Sequence, residues 1–389
     1  MVIQKSYKFR IYPTEEQIEI FRKTFGCCRF VWNKLLEERN KYYSQFKSLL
    51  SVTPAHLKQK YQFLKEVDSL ALNSVDQFQR NAFKNYFKNP KQFGKPLFKS
   101  KKYTKNSYKT NFVRNTYKNK QYCNISIDYD NNILNLPKIP NISIKLHRKF
   151  PTNSKLISVT ISETKTHKFY ASINFEYDSQ VLEKTDLNNS IGLDMSLQKL
   201  YVDSNGNSPL DFEKLFAENQ KELAELQRRY SWKLSHSTNK KSKNIEELRL
   251  RIAKLNEFIV NKRTNIQHKI SLNLVKNYDY IFIEDLSIKG MQKSNHGKSI
   301  MDISWNQFTN MLKYKCIEYG SHVHKIHRDF PSSQACHSCG QIHTEMKNVS
   351  LRIMKCDCGN ICDRDYNAAM NILDEGLKEI NNGENIINF

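Results

Sequence analysis

Residues 358–373 read CGNICDRDYNAAMNIL. A cysteine-glycine turn passes through two aspartates into an apparent helix with no linker, and Ala369, Leu373 and Leu377 recur at one-turn spacing. A carboxylate that starts a helix beside a metal-type knuckle is held in position from both sides. What it is aimed at has to be sought elsewhere in the chain.

Immediately upstream, Cys336-His-Ser-Cys339 and Cys356-Asp-Cys358 are separated by residues 340–355, close to the two-knuckle spacing of a structural zinc ribbon. Five of the nine cysteines crowd between Cys336 and Cys362, which argues for a local metal site over a distributed disulfide framework. The expected zinc ligands are Cys336, Cys339, Cys356 and Cys358. The second knuckle is C-x-C and not C-x-x-C, so Cys362, His337 and His343 stand as alternatives for one position. A four-thiolate site is closed and performs no chemistry. Its expected role is to fix where the next segment begins.

Further upstream, two segments share one design. In NSIGLDMSLQKLYVDSNG (189–206) an apolar strand ends in Asp194, and in IFIEDLSIKG (281–290) a buried-looking strand delivers Glu284. An Asp on a first strand, a Glu on a later strand and an Asp at a helix start, here Asp363 or Asp365, is how an RNase H-like or RuvC-type nuclease gathers oxygen ligands. Two magnesium ions held there would activate water and stabilise the leaving oxygen of a phosphodiester. Each acid has a plainer role available: Asp365 as a helix N-cap, Glu284 and Asp285 as exposed strand-end charges, Asp194 as a turn residue.

Composition favours a polyanionic partner. The 389 residues carry 62 Lys plus Arg against 39 Asp plus Glu, a formal charge of +23. From Gln77 to Ile127 there is no acid at all, while Lys and Arg alternate with aromatic residues, the ingredients of phosphate neutralisation and base stacking. No run of 18 or more apolar residues exists, and MVIQKSYKFRIYP lacks a signal-peptide core. The expectation is a soluble, cytoplasmic protein with no membrane partner.

The same opening residues alternate as a strand to Pro13, after which Thr14 and Gln17 form a capping-box pattern. Ile18, Phe21, Phe25, Val31 and Leu35 then mark a core-facing helix stripe, and a second helix is expected over about 70–87. NISIDYD, NNILNLP, NISIKL, SVTISET and KFYASINFEY read as short strands, so the helical block is an expected insertion into one β-barrel. Residues 221–276 read as two long helices around the polar turn SHSTNKKSKN, a hairpin between strands.

With IGLD, IFIEDL, CHSCG and DRDYNAAMNIL in hand, the chain resembles the TnpB family, transposon-encoded RNA-guided nucleases related to type V CRISPR effectors. KFRIYPTEEQIEIFRKTFGCCRFVWN resembles that family's amino-terminal helix-turn-helix region, and FGKPLFKSKK the segment closing its recognition lobe. The resemblance implies an α/β protein with all-β and all-α parts. Its pieces are a wedge-like β-barrel interrupted by a helical recognition lobe, and a RuvC (RNase H-like) nuclease domain with a zinc ribbon insertion. Barrel segments at 1–13 and 123–187 flank a lobe at 14–122; nuclease segments at 188–330 and 363–389 flank a ribbon at 331–362.

The resemblance also implies catalytic Asp194, Glu284 and, by the D-x-N-A-A pattern, Asp365. It implies a noncoding guide RNA from the element's end, a double-stranded DNA target with a short flanking motif, Mg2+ at the acids and structural Zn2+. Asn73, Ser74 and Gln77 are its expected DNA-binding residues in the recognition lobe. A compact type V CRISPR effector, a guided repressor that binds without cutting, and a strand-transferring transposase are the competing readings. The order Asp, Glu, Asp argues against the last.

Overall fold

The computed structural model describes residues 1–48, 50–117, 120–196, 199–240, 242–286, 304–348 and 350–383. Residues 287–290 of the IFIEDLSIKG segment and the tail beyond 383 lie outside the described residues. The chain divides into two compact units, Met1–Ser179 and Gln180–Phe389.

The first unit is built on β1 (Val2–Tyr12), whose Ile3, Phe9 and Ile11 are buried while Lys8 and Tyr12 are exposed, the period-2 pattern of a half-buried strand. Thr14 then caps α1 (Glu15–Phe46): its Oγ1 accepts from the Gln17 amide at 3.3 Å, and Gln17 Oε1 accepts from the Thr14 amide at 3.0 Å. Phe21, Phe25, Val31 and Leu35 are buried as the stripe requires. After α2 (Pro54–Lys60) comes α3 (Ser69–Lys88), capped by Asp68, whose Oδ1 accepts from the Leu70 amide at 2.9 Å.

The helices stop at Lys88. Residues expected in a helical lobe up to 122 instead form β2 (Asn106–Asn111), β3 (Arg114–Tyr117) and β4 (Lys120–Cys123). In β2, Tyr108 and Thr110 point inward at period 2, so the Lys/aromatic alternation that reads as surface chemistry is also a strand. β5 (Ser126–Asp128), β6 (Ile133–Leu136), β7 (Ile139–Lys145), β8 (Lys155–Glu163) and β9 (Phe169–Asp178) follow. The antiparallel sheet runs β2-β8-β9-β1-β7-β6-β5, so β1 lies between β9 and β7, strands that come after the helices in sequence. No pairing among the described residues joins β2 to β5: this is a half-barrel, not a closed barrel.

The second unit centres on a sheet ordered β11-β10-β12-β13, from β10 (Ser190–Asp194), β11 (Val202–Asp203), β12 (Tyr280–Glu284) and β13 (His322–Ile326). β10, β12 and β13 are parallel, and β11 runs antiparallel to β10. Parallel neighbours need long crossovers. Between β10 and β12 lie α4 (Leu210–His236) and α5 (Lys243–Asn277), packed as a hairpin, and α6 (Trp305–Tyr319) connects β12 to β13. A small hairpin, β14 (Ile353–Lys355) and β15 (Ile361–Asp363), leads directly into α7 (Arg364–Asn381).

The sheet is covered on both faces. Ile191, Leu193, Ile281, Ile283 and Val323 pack with residues of α5 and α6, whereas Tyr280, Phe282 and Ile326 pack with Ile372 of α7.

Candidate active site and metal centre

Strand parity decides which way the strand-end acids face. Ile281 and Ile283 belong to the α5/α6 core and Tyr280 and Phe282 to the α7 core, so Glu284 continues the α7 side. Ile191 and Leu193 likewise leave Gly192 and Asp194 to the α7 side. β10 and β12 are paired in register up to Leu193 and Ile283, which puts Asp194 and Glu284 at neighbouring strand ends.

Two glycines let α7 lie close on those strands, one against helix backbone and one against a strand's aromatic ring. A Cβ on Gly192 would stand 2.3 Å from the Ala369 carbonyl oxygen and 2.7 Å from the Leu373 amide nitrogen. A Cβ on Gly376 would stand 2.1 Å from the Phe282 ring. Each contact is two residues short of an acid, so the helix approaches both strands near their acidic ends, and the charge of Asp365 reaches Asp194.

Asp363 and Asp365 separate by role. Asp363 is the N-cap: its Oδ1 accepts from the amides of Asp365 and Tyr366 at 2.9 and 3.0 Å. Asp365 is freed from capping, and its Oδ2 lies 3.4 Å from Nη1 of Arg352. Asp285 is likewise set apart from Glu284, because Lys325 Nζ donates to it at 2.6 Å and Arg328 also pairs with it.

Burial pushes the Asp194 carboxyl well above its ordinary value, and the charges of Glu284 and Asp365 add to this while Arg364 opposes it. Burial also raises Glu284, against a hydrogen bond from the Ser332 hydroxyl and the charge of Arg364. Asp285 goes the other way. Burial lifts it, but hydrogen bonds and charge from Lys325 and Arg328 outweigh that and leave it low.

Among the described residues, Cys336, Cys339, Cys356 and Cys358 form the one group of three or more such side chains whose ligand atoms all lie within 4.8 Å of one another. The three acids are not gathered that tightly. The sulfur pairs Cys336–Cys358 and Cys339–Cys356 stand 3.7 and 3.5 Å apart; tetrahedral zinc with bonds of about 2.3 Å spaces its sulfurs about 3.8 Å apart. The cluster therefore fits a structural zinc. Cys362 lies outside it, its sulfur 3.8 Å from Asn367 Oδ1. His343 pairs with Glu345 and His337 with Asp374.

The C-x-C knuckle is accommodated by a tighter turn. The Cys336 carbonyl accepts from the Gly340 amide, four residues on, whereas the Cys356 carbonyl accepts from Gly359, three residues on. Both glycines have positive φ, 78° and 91°. Burial raises the Cys336 thiol, but hydrogen bonds from Asn360 and the amides of Cys339 and Ser338 outweigh it and lower it to about 6.

In the first unit, Asn73, Ser74 and Gln77 do not share one exposed face. Asn73 and Gln77 are exposed one turn apart, but Ser74 is buried and helps line a cavity of about 260 Å³ with Phe78, Lys99 and Tyr108. The FGKPLFKSKK segment is pinned to α1: Trp32 Nε1 donates to the Leu97 carbonyl at 2.9 Å, and Asn33 exchanges hydrogen bonds of 2.9 and 2.8 Å with Lys99. Within it Phe93 and Phe98, and just after it Tyr103, remain exposed. On the outer face of the sheet, Lys8 lies 4.3 Å from the Tyr170 ring centroid, and Arg10 faces the rings of Tyr12 and Tyr170.

Sequence reasoning missed Gly192, Gly376, Ser332, Asn367 and Asn371. The glycine inside IGLD was a visible signal, since glycine in a buried strand marks close backbone approach. The asparagines one helical turn apart in NAAMN were another. Ser332 carried none.

Residues 1–48 match the model of a helix-turn-helix domain, residues 172–295 a family described as "Probable transposase", and residues 305–372 the Cas12f1-like TNB domain. The chain is 30% identical to a "Putative RNA-guided DNA endonuclease" of Streptomyces pristinaespiralis, over 96% of this chain and 90% of that protein. It is 29% identical to InsQ of Escherichia coli K12, described in the same words, over 98% and 94% of the two chains. In fold it resembles a chain of the solved Cas12f1-sgRNA-target DNA complex, with a TM-score of 0.57 at 14% identity, covering 96% of this chain and 99% of that one.

Proposed function

This chain belongs to the TnpB family of RNA-guided DNA endonucleases, and from that premise we propose that it cuts guide-matched DNA at a RuvC-type centre of Asp194, Glu284 and Asp365. The observation that carries this reading is geometric: β10 and β12 are paired in register up to Leu193 and Ile283, and α7 packs against Gly192. Asp194 and Glu284 therefore stand at neighbouring strand ends, with the half-buried Asp194 carboxyl raised by desolvation and by the other two acids. A half-buried group of like-charged oxygen donors, with no cation among the described residues ion-paired to Asp194, is a site that divalent metal would neutralise.

Two bound Mg2+ ions would supply a more acidic attacking water and stabilisation of the leaving oxygen. The chain's own part is to hold the donors. Asp194 and Glu284 are fixed by the ends of paired strands, and Asp365 sits in the first turn of α7, where the helix dipole favours its negative charge. Arg364 contributes positive charge toward Asp194 and Glu284.

Zinc at Cys336, Cys339, Cys356 and Cys358 would complete a ribbon whose last strand, β15, ends on the cap of α7. The guide RNA is a noncoding transcript of the element, and the DNA target carries a short flanking motif read in part by exposed Asn73 and Gln77, whereas Ser74, at 2% exposure, is withdrawn from that surface. The cation-aromatic face around Lys8, Arg10 and Tyr170 and the exposed rings of Phe93, Phe98 and Tyr103 have the chemistry to grip backbone and stack bases. Guide pairing would supply most of the sequence specificity. No helix among the described residues is long and apolar enough to cross a membrane.

The test is to purify the protein from cells carrying its native flanking DNA, sequence the RNA that accompanies it, and incubate the complex with matched duplex and Mg2+. A defined RNA with guide-dependent cuts that vanish in Asp365→Ala is the expected result. A defined RNA with binding but no cutting would replace the nuclease by a guided repressor, and absence of any RNA would overturn the reading.

A further inference from the structure

Glu284 is held by a residue from outside the three acids. The Ser332 hydroxyl donates to Glu284 Oε1, and Ser332 is itself buried at 3% exposure. Its backbone is fixed twice. Within the turn, the Ser332 amide donates to the Phe330 carbonyl at 2.9 Å, while the amides of Gln334 and Ala335 close onto Pro331 at 2.9 and 3.0 Å. From α7, Asn371 Nδ2 donates to the carbonyls of Ser332 and Ala335 at 2.8 and 2.7 Å.

One turn earlier on the same helix, Asn367 Nδ2 donates to the Ala335 carbonyl at 2.7 Å, and its Oδ1 accepts from the His337 amide at 2.9 Å. The segment leading into the first cysteine knuckle is thus bound to the helix that carries Asp365. Asn371 lies six residues from Asp365, about 9 Å along the axis. Through Ser332, the carboxylate on β12 is referenced to the same rigid body as the carboxylate on α7.

We propose that Ser332 is a positioning residue for Glu284, orienting its carboxylate for divalent metal, with Asn371 holding the Ser332 backbone so that the knuckle segment and α7 act as one frame. The inference rests on the site reading given above. A hydroxyl that donates to one oxygen of a carboxylate selects its rotamer and leaves the other oxygen presented in a single direction. Without it the side chain turns between alternatives, and ion binding bears the cost of ordering it.

The experiment compares Ser332→Ala, Ser332→Thr and Ser332→Val in the full-length, zinc-loaded protein. Thr and Val have nearly the same shape, so any steric cost of the added methyl is shared and their difference isolates the hydroxyl. Mn2+ binding to the guide-free protein is followed by electron paramagnetic resonance, the Mg2+ half-saturation of guided cleavage is measured in parallel, and zinc content is recorded. Loss of a hydrogen bond to a charged group predicts Mn2+ binding weakened about tenfold in Ala and Val, a matching rise in Mg2+ requirement, near wild-type values in Thr, and unchanged zinc.

Equal Mn2+ affinity in Thr and Val, or wild-type affinity in Ala, would overturn the positioning role and leave the acid site standing. Asp194→Ala separates the two ideas: if it retains wild-type Mn2+ binding, the ions are not held at these acids, and both readings fall together.

Discussion

The cysteine cluster and the carboxylate group lie in the same unit and are assembled in opposite ways. The four sulfurs come from two turns between Cys336 and Cys358, each closed by its own backbone hydrogen bonds and a glycine at positive φ. The three acids come from two strands and a helix spread from Asp194 to Asp365, and no local turn relates them. On the proposed reading their arrangement depends on α7 seating at Gly192 and Gly376. Local chemistry makes the first site, and packing makes the second, so the two should fail differently when disturbed.

The largest effect is expected where a single oxygen donor is removed. Asp194→Ala or Asp365→Asn should lower guided cleavage on the order of 10³-fold or more, with guided binding retained because the basic surfaces are untouched. Asp363→Asn provides the contrast, since asparagine caps a helix about as well as aspartate. It should cut within a few-fold of the parent, and a loss as deep as that of Asp365→Asn in a single-turnover assay would break the division of roles between these two aspartates.

Next comes the cysteine cluster. Cys356→Ser should abolish stoichiometric zinc and lower the thermal midpoint, because the energy of structural zinc binding is folding energy. Full zinc occupancy by metal analysis would count against the four-cysteine set. Smaller in stability but telling for the comparison is Gly192→Ala. The added methyl meets helix backbone that cannot rotate away, and overpacking of this kind costs about 1–3 kcal/mol. Cleavage should fall with zinc content unchanged, and a variant as active and stable as the parent in a denaturation series would show that the seating of α7 does not set the acids.

The smallest effect belongs to Asp285, adjacent to Glu284 but paired with Lys325 and Arg328. Its folded pKa lies below the ordinary value, so its stabilising contribution is present above the unfolded value of about 4 and is lost as pH falls through the folded one. The pair is partly solvated, which limits it to about 1 kcal/mol or less. Asp285→Asn should therefore cost little stability at neutral pH, narrow the difference from the parent in acid, and leave cleavage nearly intact. A drop comparable to that of Glu284→Gln would reassign the strand-end acid.

Several features were legible in the residues because they are written locally. Thr14 and Gln17 announced the cap of α1, period-2 alternation announced β1 and β5 to β9, and the doubled cysteine pattern announced a cluster from which the structure leaves Cys362 apart. β2 to β4 were not legible in the same way. Tyr108, Lys109 and Thr110 in NSYKTN (106–111) satisfy a half-buried strand and a nucleic-acid surface equally well, and only the pairing of β2 with β8 separates them.

By itself the sequence determined the mixed α/β character, the family resemblance and the residue types able to bind metal, since periodicity, turn chemistry and ligand spacing are properties of neighbours along the chain. Tertiary structure alone decided that Ser74 is buried while Asn73 and Gln77 are not, that Asp363 caps while Asp365 is freed, and that Ser332 meets Glu284. Each of those outcomes depends on which backbone comes close to which. That is settled by packing, where a missing Cβ at Gly192 counts for as much as any charged group.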